Sequence, residues 1–183
     1  FRKFMVELPT HKYKKLESMH LHTNGSLWTE QLWGKMKGIH KFVNSCEISI
    51  DAATKHTYEN ETRIGGKWDN ILERLKFITQ IPTIKWYCFS FVTQDTNFKE
   101  MKDYYDLIKS YFEKRKTPTK WEVKFNQVIN WGTYNEDEFK NKEVFKKDHP
   151  LFNEFMDNLN TVKDLPNVVH NFHDLYETKN TLI

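Results

Sequence analysis

Apolar residues recur along this chain with two different periods, and the periods take turns. In the run 18–23, Met19, Leu21 and Thr23 alternate with His20 and His22, and the run stops at Asn24-Gly25, a strong turn signal. In 46–51, Ile48 and Ile50 alternate with Ser49 and Asp51. The run 84–93 is rich in aromatic and β-branched residues, and in 121–129 Trp121, Val123 and Phe125 alternate with charged residues. A period of two predicts four strands. Between them the period lengthens. Trp28, Leu32 and Met36 recur at four-residue steps. Trp68, Ile71, Leu72, Leu75 and Ile78 form one helical stripe that ends before Pro82, and Phe98, Met101, Tyr105, Ile108 and Phe112 form another. Thr96 or Asn97 is placed to cap that last helix, with Glu100 three residues after Asn97 as a capping box prefers.

The predicted order is strand, helix, strand, helix, strand, helix, strand. No two-residue hairpin turn joins any strand pair, so the pattern predicts parallel βαβ units with right-handed crossovers. After Trp131 the pattern changes. Residues 136–145 read as a short charged helix. His149-Pro150 opens another with Leu151, Phe152, Phe155, Met156 and Leu159, and residues 165–169 read as a short extended piece. The residues from Glu177 onward are polar and read as a frayed end.

Composition narrows the class. The aromatic share of 15% argues against disorder, and 183 residues suffice for one continuous core. The net charge of +3 is spread over interspersed acidic and basic residues, so a nucleic-acid surface is not indicated. The densest basic cluster, Lys114-Arg115-Lys116, reads as a solvated loop. Cys46 and Cys88 lie far apart inside apolar runs and fit no metal spacing. They read as small buried hydrophobes, and a reducing, cytoplasmic setting is expected. No apolar run is long enough for a membrane span.

In parallel α/β folds ligands bind at the carboxyl ends of the strands. Here the four strands end, in order, in Thr23-Asn24, in Ser49 and Asp51, in Gln94, Asp95 and Asn97, and in Asn126, Gln127 and Asn130. Polar residues at one strand end mark a loop start or a cap. Polar residues at all four point to a polar ligand, with side chains suited to hydroxyls, an amino group or a carboxylate. No nucleophile, base and orienting carboxylate are spaced as a triad, and no metal cage is visible. His20 and His22 share a face that a metal could bridge, but that face is expected to pack against helices. Gly65-Gly66 lacks the spacing of a phosphate loop and reads as a tight turn before the helix at Trp68. Arg63, just before it, is within reach of a carboxylate at the strand ends.

These residues resemble a known family. Leu21-His22-Thr23-Asn24-Gly25 resembles the segment that ends the third strand of radical S-adenosylmethionine (SAM) cores, and Glu47-Ile48-Ser49-Ile50-Asp51-Ala52-Ala53-Thr54 resembles the fourth strand with its ribose-binding S-x-D. Thr57-Tyr58 with Arg63-Ile64-Gly65-Gly66-Lys67-Trp68 is similar to the loop that follows. Phe91-Val92-Thr93-Gln94, Asn97-Phe98 and Glu100-Met101 are similar to the fifth strand and its helix. Residues 125–134, from Phe125-Asn126-Gln127 to Gly132-Thr133-Tyr134, resemble the sixth strand and exit of the subgroup related to SPASM and twitch-domain proteins, and His149-Pro150-Leu151-Phe152 fits its tail.

The resemblance implies a partial (βα)6, TIM-barrel-like radical SAM core over residues 1–134, about strands three to six, and a helical C-terminal extension over 135–183. It implies a parent enzyme that cleaves SAM at a [4Fe–4S] cluster to make a 5′-deoxyadenosyl radical for hydrogen abstraction from an unknown substrate, with a peptide suggested by analogy. Ser49 would bond the SAM ribose or its amino-acid end, and Asp51 would hold the loop or assist. Arg63 would meet a carboxylate. Asn24 would line the SAM cavity, Gln94 and Asn97 would close its adenine or substrate side, and Ile129 would pack near adenine. Thr23 and Asn130 would face the substrate. The family's C-x-x-x-C-x-x-C loop and glycine-rich strand end are not in this sequence. Truncation before the third strand is the expected reason, and the chain by itself is then expected to be inactive. A cluster-free nucleotide- or peptide-binding module of the same fold is the alternative. An RNA-interacting protein ranks last, because the aromatics fall at core positions.

Overall fold

The computed structural model describes residues 2–115, 117–172 and Leu175. After a short helix α1 (Arg2–Glu7), the chain alternates strand and helix. β1 (Met19–Thr23) is followed by α2 (Glu30–Lys35), β2 (Val43–Ser49) by α3 (Trp68–Ile78), β3 (Trp86–Thr93) by α4 (Met101–Glu113), and β4 (Lys120–Gln127) by α5 (Glu136–Lys142) and α6 (Phe152–Asn160). The extended piece expected over 165–169 overlaps only the start of β5 (Val168–His170), the residues before it forming a turn. The expected polar end beyond Glu177 lies outside the described residues.

The five strands form one sheet in the order β1-β2-β3-β4-β5, with every pair parallel. The protein is therefore an α/β structure built on an all-parallel sheet. Sequential order means each crossover advances by one strand in the same direction. With crossovers of one hand, the helices collect on one side of the sheet and leave the other side open. An open sheet wound in both directions would cover both faces instead.

The alternation along each strand follows this division. On the covered side Cys46, Ile48, Tyr87, Phe89, Phe91, Val123 and Phe125 are buried. Phe112 of α4 meets Tyr87 and Phe89 edge-on at 5.4 and 5.8 Å, and Phe91 packs between Tyr104 and Phe125 at 4.9 and 5.5 Å. Each such aromatic contributes about 1.5–3 kcal/mol by burial. Phe155 of α6 meets Phe98 and Phe172, so the last helix closes over the end of the same core. On the open side the register sets His22 beside Glu47, Glu47 beside Cys88 and Cys88 beside Glu122. One row further along, Ser49 lies beside Ser90 and Ser90 beside Lys124.

Two local expectations are corrected. The face that carries His20 and His22 does not pack against helices: both residues are exposed, and Leu21 is the buried one. Alternation tells which residues share a face, whereas crossover direction decides which face is covered. The Asn97–Glu100 capping box does not form either. Both side chains are drawn to the loop after β2, and α4 is entered through a 3-10 turn, Phe98–Glu100. A capping box does form one helix later, where Asn135 and Glu138 exchange bonds at the start of α5.

Candidate functional site

A cleft of about 540 Å³ lies over the carboxyl ends of β2, β3 and β4. Its floor is the open side of the sheet, with His22, Glu47, Ser49 and Ser90. Asp51, Thr62 and Arg63 bound it on the β2 side, and Gln94 closes the β3 end. The segment after β4 supplies Ile129, Trp131, Thr133 and Tyr134. Parallel strands all deliver their last residues to one end, so a run of polar strand ends becomes a polar wall.

At the centre of the β2 side stands a chain of hydrogen bonds. The Arg63 guanidinium donates to the Ser49 hydroxyl at 2.8 Å, to the Ser49 carbonyl at 3.1 Å and to the Asp51 carboxylate. The Ser49 hydroxyl accepts this hydrogen bond from Arg63 and donates its own to Asp51, 3.0–3.1 Å away. The Val92 amide donates to the other end of that carboxylate at 2.8 Å. Asp51 thus faces only donors, the arrangement of an ionised carboxylate. Its backbone takes a φ of 62°, a left-handed conformation that Asp tolerates better than most residues. Burial pushes its pKa above the ordinary value, while the Arg63 charge, the Val92 amide and the two side-chain donors pull it back.

The loop that delivers Arg63 is itself fastened. Glu100, at the start of α4, accepts from the amides of Ala53 at 2.6 Å and Thr54 at 3.1 Å, and from the hydroxyls of Thr54 at 2.6 Å and Thr57 at 2.5 Å. A π-helical turn, Thr57–Thr62, follows. The Glu59 carboxylate then accepts from the Trp68 amide at 2.9 Å and caps α3. Between them Gly65 has a φ of 84°, and a side-chain carbon at Gly66 would stand 2.7 Å from the Tyr58 ring. The glycine pair serves the tight turn that its sequence suggested.

The predicted site residues divide into two groups. Ser49, Asp51, Arg63, Gln94 and Ile129 come together on the cleft. The others do not line it. The Thr23 hydroxyl accepts from the Gly25 amide, and Asn24 accepts from the Ser26 amide and hydroxyl, so both are spent on the turn after β1. They border a smaller, mostly apolar cavity beside Trp28. Asn97 is buried with its carboxamide turned inward: it donates to the carbonyls of Asp51 at 3.0 Å and Val92 at 2.9 Å and accepts from the Gln94 amide at 2.8 Å. Asn130 folds back on its own loop, donating to the Tyr134 carbonyl and accepting from the amides of Gly132 and Tyr134. It holds Trp131, which is 83% exposed, at the cleft's rim.

Sequence reasoning passed over Glu47, Ser90, Trp131 and Tyr134 as site residues. Counting back by two from Ser49 reaches Glu47 on the same face, which was a usable signal. Ser90 needs the strand register, and the rim residues need the loop's conformation.

The cysteines sit on opposite faces of neighbouring strands, Cys46 on the covered side and Cys88 on the open side. Burial pushes both thiols up, and for Cys88 the neighbouring carboxylates of Glu47 and Glu122 push further. Neither is a ready thiolate. Among the described residues no group of three or more His, Cys, Asp and Glu side chains is placed to hold a metal ion, and no helix is long and apolar enough to cross a membrane. Compared with known protein families and with curated proteins, the chain finds no matching family model and no matching relative.

Proposed function

We propose that this chain binds S-adenosylmethionine in the cleft at the carboxyl ends of β2–β4, as part of a radical SAM enzyme. The observation that carries the reading is the Ser49–Asp51–Arg63 constellation. It falls on the segment that resembles the family's ribose-binding strand, and it borders an open polar cleft. A singly wound parallel sheet with a polar uncovered face also supports a partial barrel, because the inner face of such a barrel is the face left without helices. In this reading Ser49 offers its remaining lone pair to a ligand hydroxyl, Arg63 fixes the hydroxyl's orientation, and Gln94 and Ile129 border the rest of the nucleoside.

Cys46 and Cys88 do not fit a [4Fe–4S] ligand set, since they are two, buried, and on opposite faces. The cluster's thiolates would come from sequence outside this chain, and the residues described here are assigned only to binding and orientation. The substrate whose hydrogen is abstracted, proposed to be a peptide, and a cytoplasmic setting belong to the same reading. The buried state of both cysteines favours a second reading, a cluster-free module that binds a nucleotide or peptide without chemistry.

Calorimetric titration of the 183-residue chain with SAM tests the first reading. Binding is expected, and Ser49→Ala should weaken it about fivefold, the worth of one hydrogen bond. An unchanged affinity in Ser49→Ala removes Ser49 from the site. A chain that binds adenosine monophosphate as well as SAM or better supports the second reading.

A further inference from the structure

On the floor of the cleft, two residues before Ser49, the Glu47 side chain is only 20% exposed. Its nearest ion-pair partner is the imidazole of His22, Nε2 at 3.7 Å, which is cationic only when protonated. No described Lys or Arg nitrogen lies within 4.0 Å of it. The other full charges on the cleft, Asp51 and Arg63, neutralise each other in an ion pair. The Glu47 carboxylate therefore stands on the cleft floor, 20% exposed, with an imidazole at 3.7 Å but no permanent positive charge within 4.0 Å among the described residues. Removing a carboxylate from water without a cationic partner is costly, and the cost is relieved by a positive ligand that brings hydrogen-bond donors of its own.

We propose that Glu47 is a recognition site for a primary ammonium group on the cleft's ligand, placed on the sheet floor beneath the Ser49 level. A Coulombic partner at hydrogen-bonding distance fits the geometry: Glu47 lies between the strand positions of His22 and Cys88, with Ser49 and Ser90 one row above. The ammonium can come from a free small amine or from a lysine side chain of a polypeptide. The rim distinguishes the two sources, because Trp131 and Ile129 stand exposed there and offer apolar contact to flanking peptide residues but nothing to a small amine. The inference rests on the cleft being a ligand site and does not require the nucleoside to be SAM.

The test is a titration of the isotopically labelled 183-residue chain followed by amide chemical shifts, with three probes: cadaverine, its neutral analogue 1,5-pentanediol, and an acetylated, amidated Leu-Lys-Leu peptide. Cadaverine or the peptide is expected to shift the amides around Glu47 saturably, the diol is not, and Glu47→Gln should raise the dissociation constant about tenfold or more. Tighter binding of the peptide that is lost in Trp131→Ala assigns the ammonium to a polypeptide, and equal binding assigns it to a free amine. The proposal is overturned if the diol shifts the same amides as strongly, if Glu47→Gln stays within about twofold of the parent, or if neither amine binds. The diol comparison uses the unaltered chain, so a misfolded variant does not spoil it. SAM added to the same samples separates the two readings: cadaverine binding without SAM binding ends the SAM assignment and leaves the ammonium site standing.

Discussion

Arg63 reaches back twelve residues to close on Asp51, and the Ser49 hydroxyl is held between the two. This arrangement makes the end of β2 rigid in two ways at once. The ion pair fixes the loop, and the carboxylate fixes the neighbouring strand through the Val92 amide. Asp51→Ala removes an ion-pair partner, leaves an amide unmatched, and puts a residue poorly suited to a φ of 62° at that position. Because Arg63 keeps some contact with solvent, the cost should sit near the lower end for a broken buried pair, about 3 kcal/mol. Asp51→Asn retains an acceptor for Val92 and tolerates the backbone, so its cost should be about half that. Urea unfolding of the two variants checks the order. Equal losses would show that the backbone and the Val92 bond matter little.

Glu100 is the second fastening. Four donors from Ala53, Thr54 and Thr57 converge on one carboxylate more than forty residues away in sequence. Glu100→Ala is expected to cost about 3 kcal/mol, since charged hydrogen bonds of this kind are worth about 1.5–3 kcal/mol each but are not additive. Hydrogen exchange should quicken through the loop 52–63 and leave α4 protected. Exchange that quickens along α4 first would mean that Glu100 serves its helix and not the loop.

The same residue shows what the sequence could and could not reveal. Asn97 and Glu100 have the spacing of a capping box, yet each finds a stronger partner in the loop after β2. Spacing reports local neighbours, and these partners are brought in only when β2 and β3 pair. The strands and helices themselves were legible, because a period of two and a period of 3.6 are properties of local sequence. The polar ends of four strands foretold a polar cleft. Which side chains face it was foretold in part: Ser49, Asp51, Arg63, Gln94 and Ile129 do, whereas Thr23, Asn24 and Asn130 are spent on turn bonds two to four residues away, and Asn97 turns to a loop that only the folded chain places beside it.

Arg115 gives a further test. Its setting beside Lys114 suggested a solvated basic loop, but it turns inward, and its guanidinium donates to the carbonyls of Thr79, Ile81 and Thr117. It also stands 5.5 Å from the centre of the Tyr87 ring. Arg115→Ala strands carbonyls at the end of α3, where Thr79 is fully buried, and should cost about 2–3 kcal/mol. Lys114→Ala should cost less than about 0.5 kcal/mol. Thermal unfolding of the pair checks the contrast, and similar midpoints for both variants would refute the inward role of Arg115.

Stability should fall on the alkaline side, and the direction follows from the thiols and phenols. Burial raises the pKa of Cys46 and Cys88 above their ordinary 9.0, and that of Tyr87, Tyr104 and Tyr111 above their ordinary 10.0. Between the ordinary value and the raised one, the unfolded chain has lost a proton that the folded chain keeps. The unfolded state then binds fewer protons, and stability declines as pH rises. Below pH 9 these groups are protonated in both states and contribute no slope. From about pH 9 the two thiols should remove stability at up to about 1.4 kcal/mol per pH unit each, and past pH 10 the tyrosines should steepen the fall. Urea midpoints at pH 7, 9 and 10.5 should trace a plateau and then a decline. Cys88→Ala, whatever its cost at neutral pH, should flatten the first part of that decline by about one proton's worth. A midpoint that holds steady from pH 7 to 10.5 would mean that these thiols and phenols ionise in the folded protein as readily as in the unfolded chain, and so that they are not sealed from water.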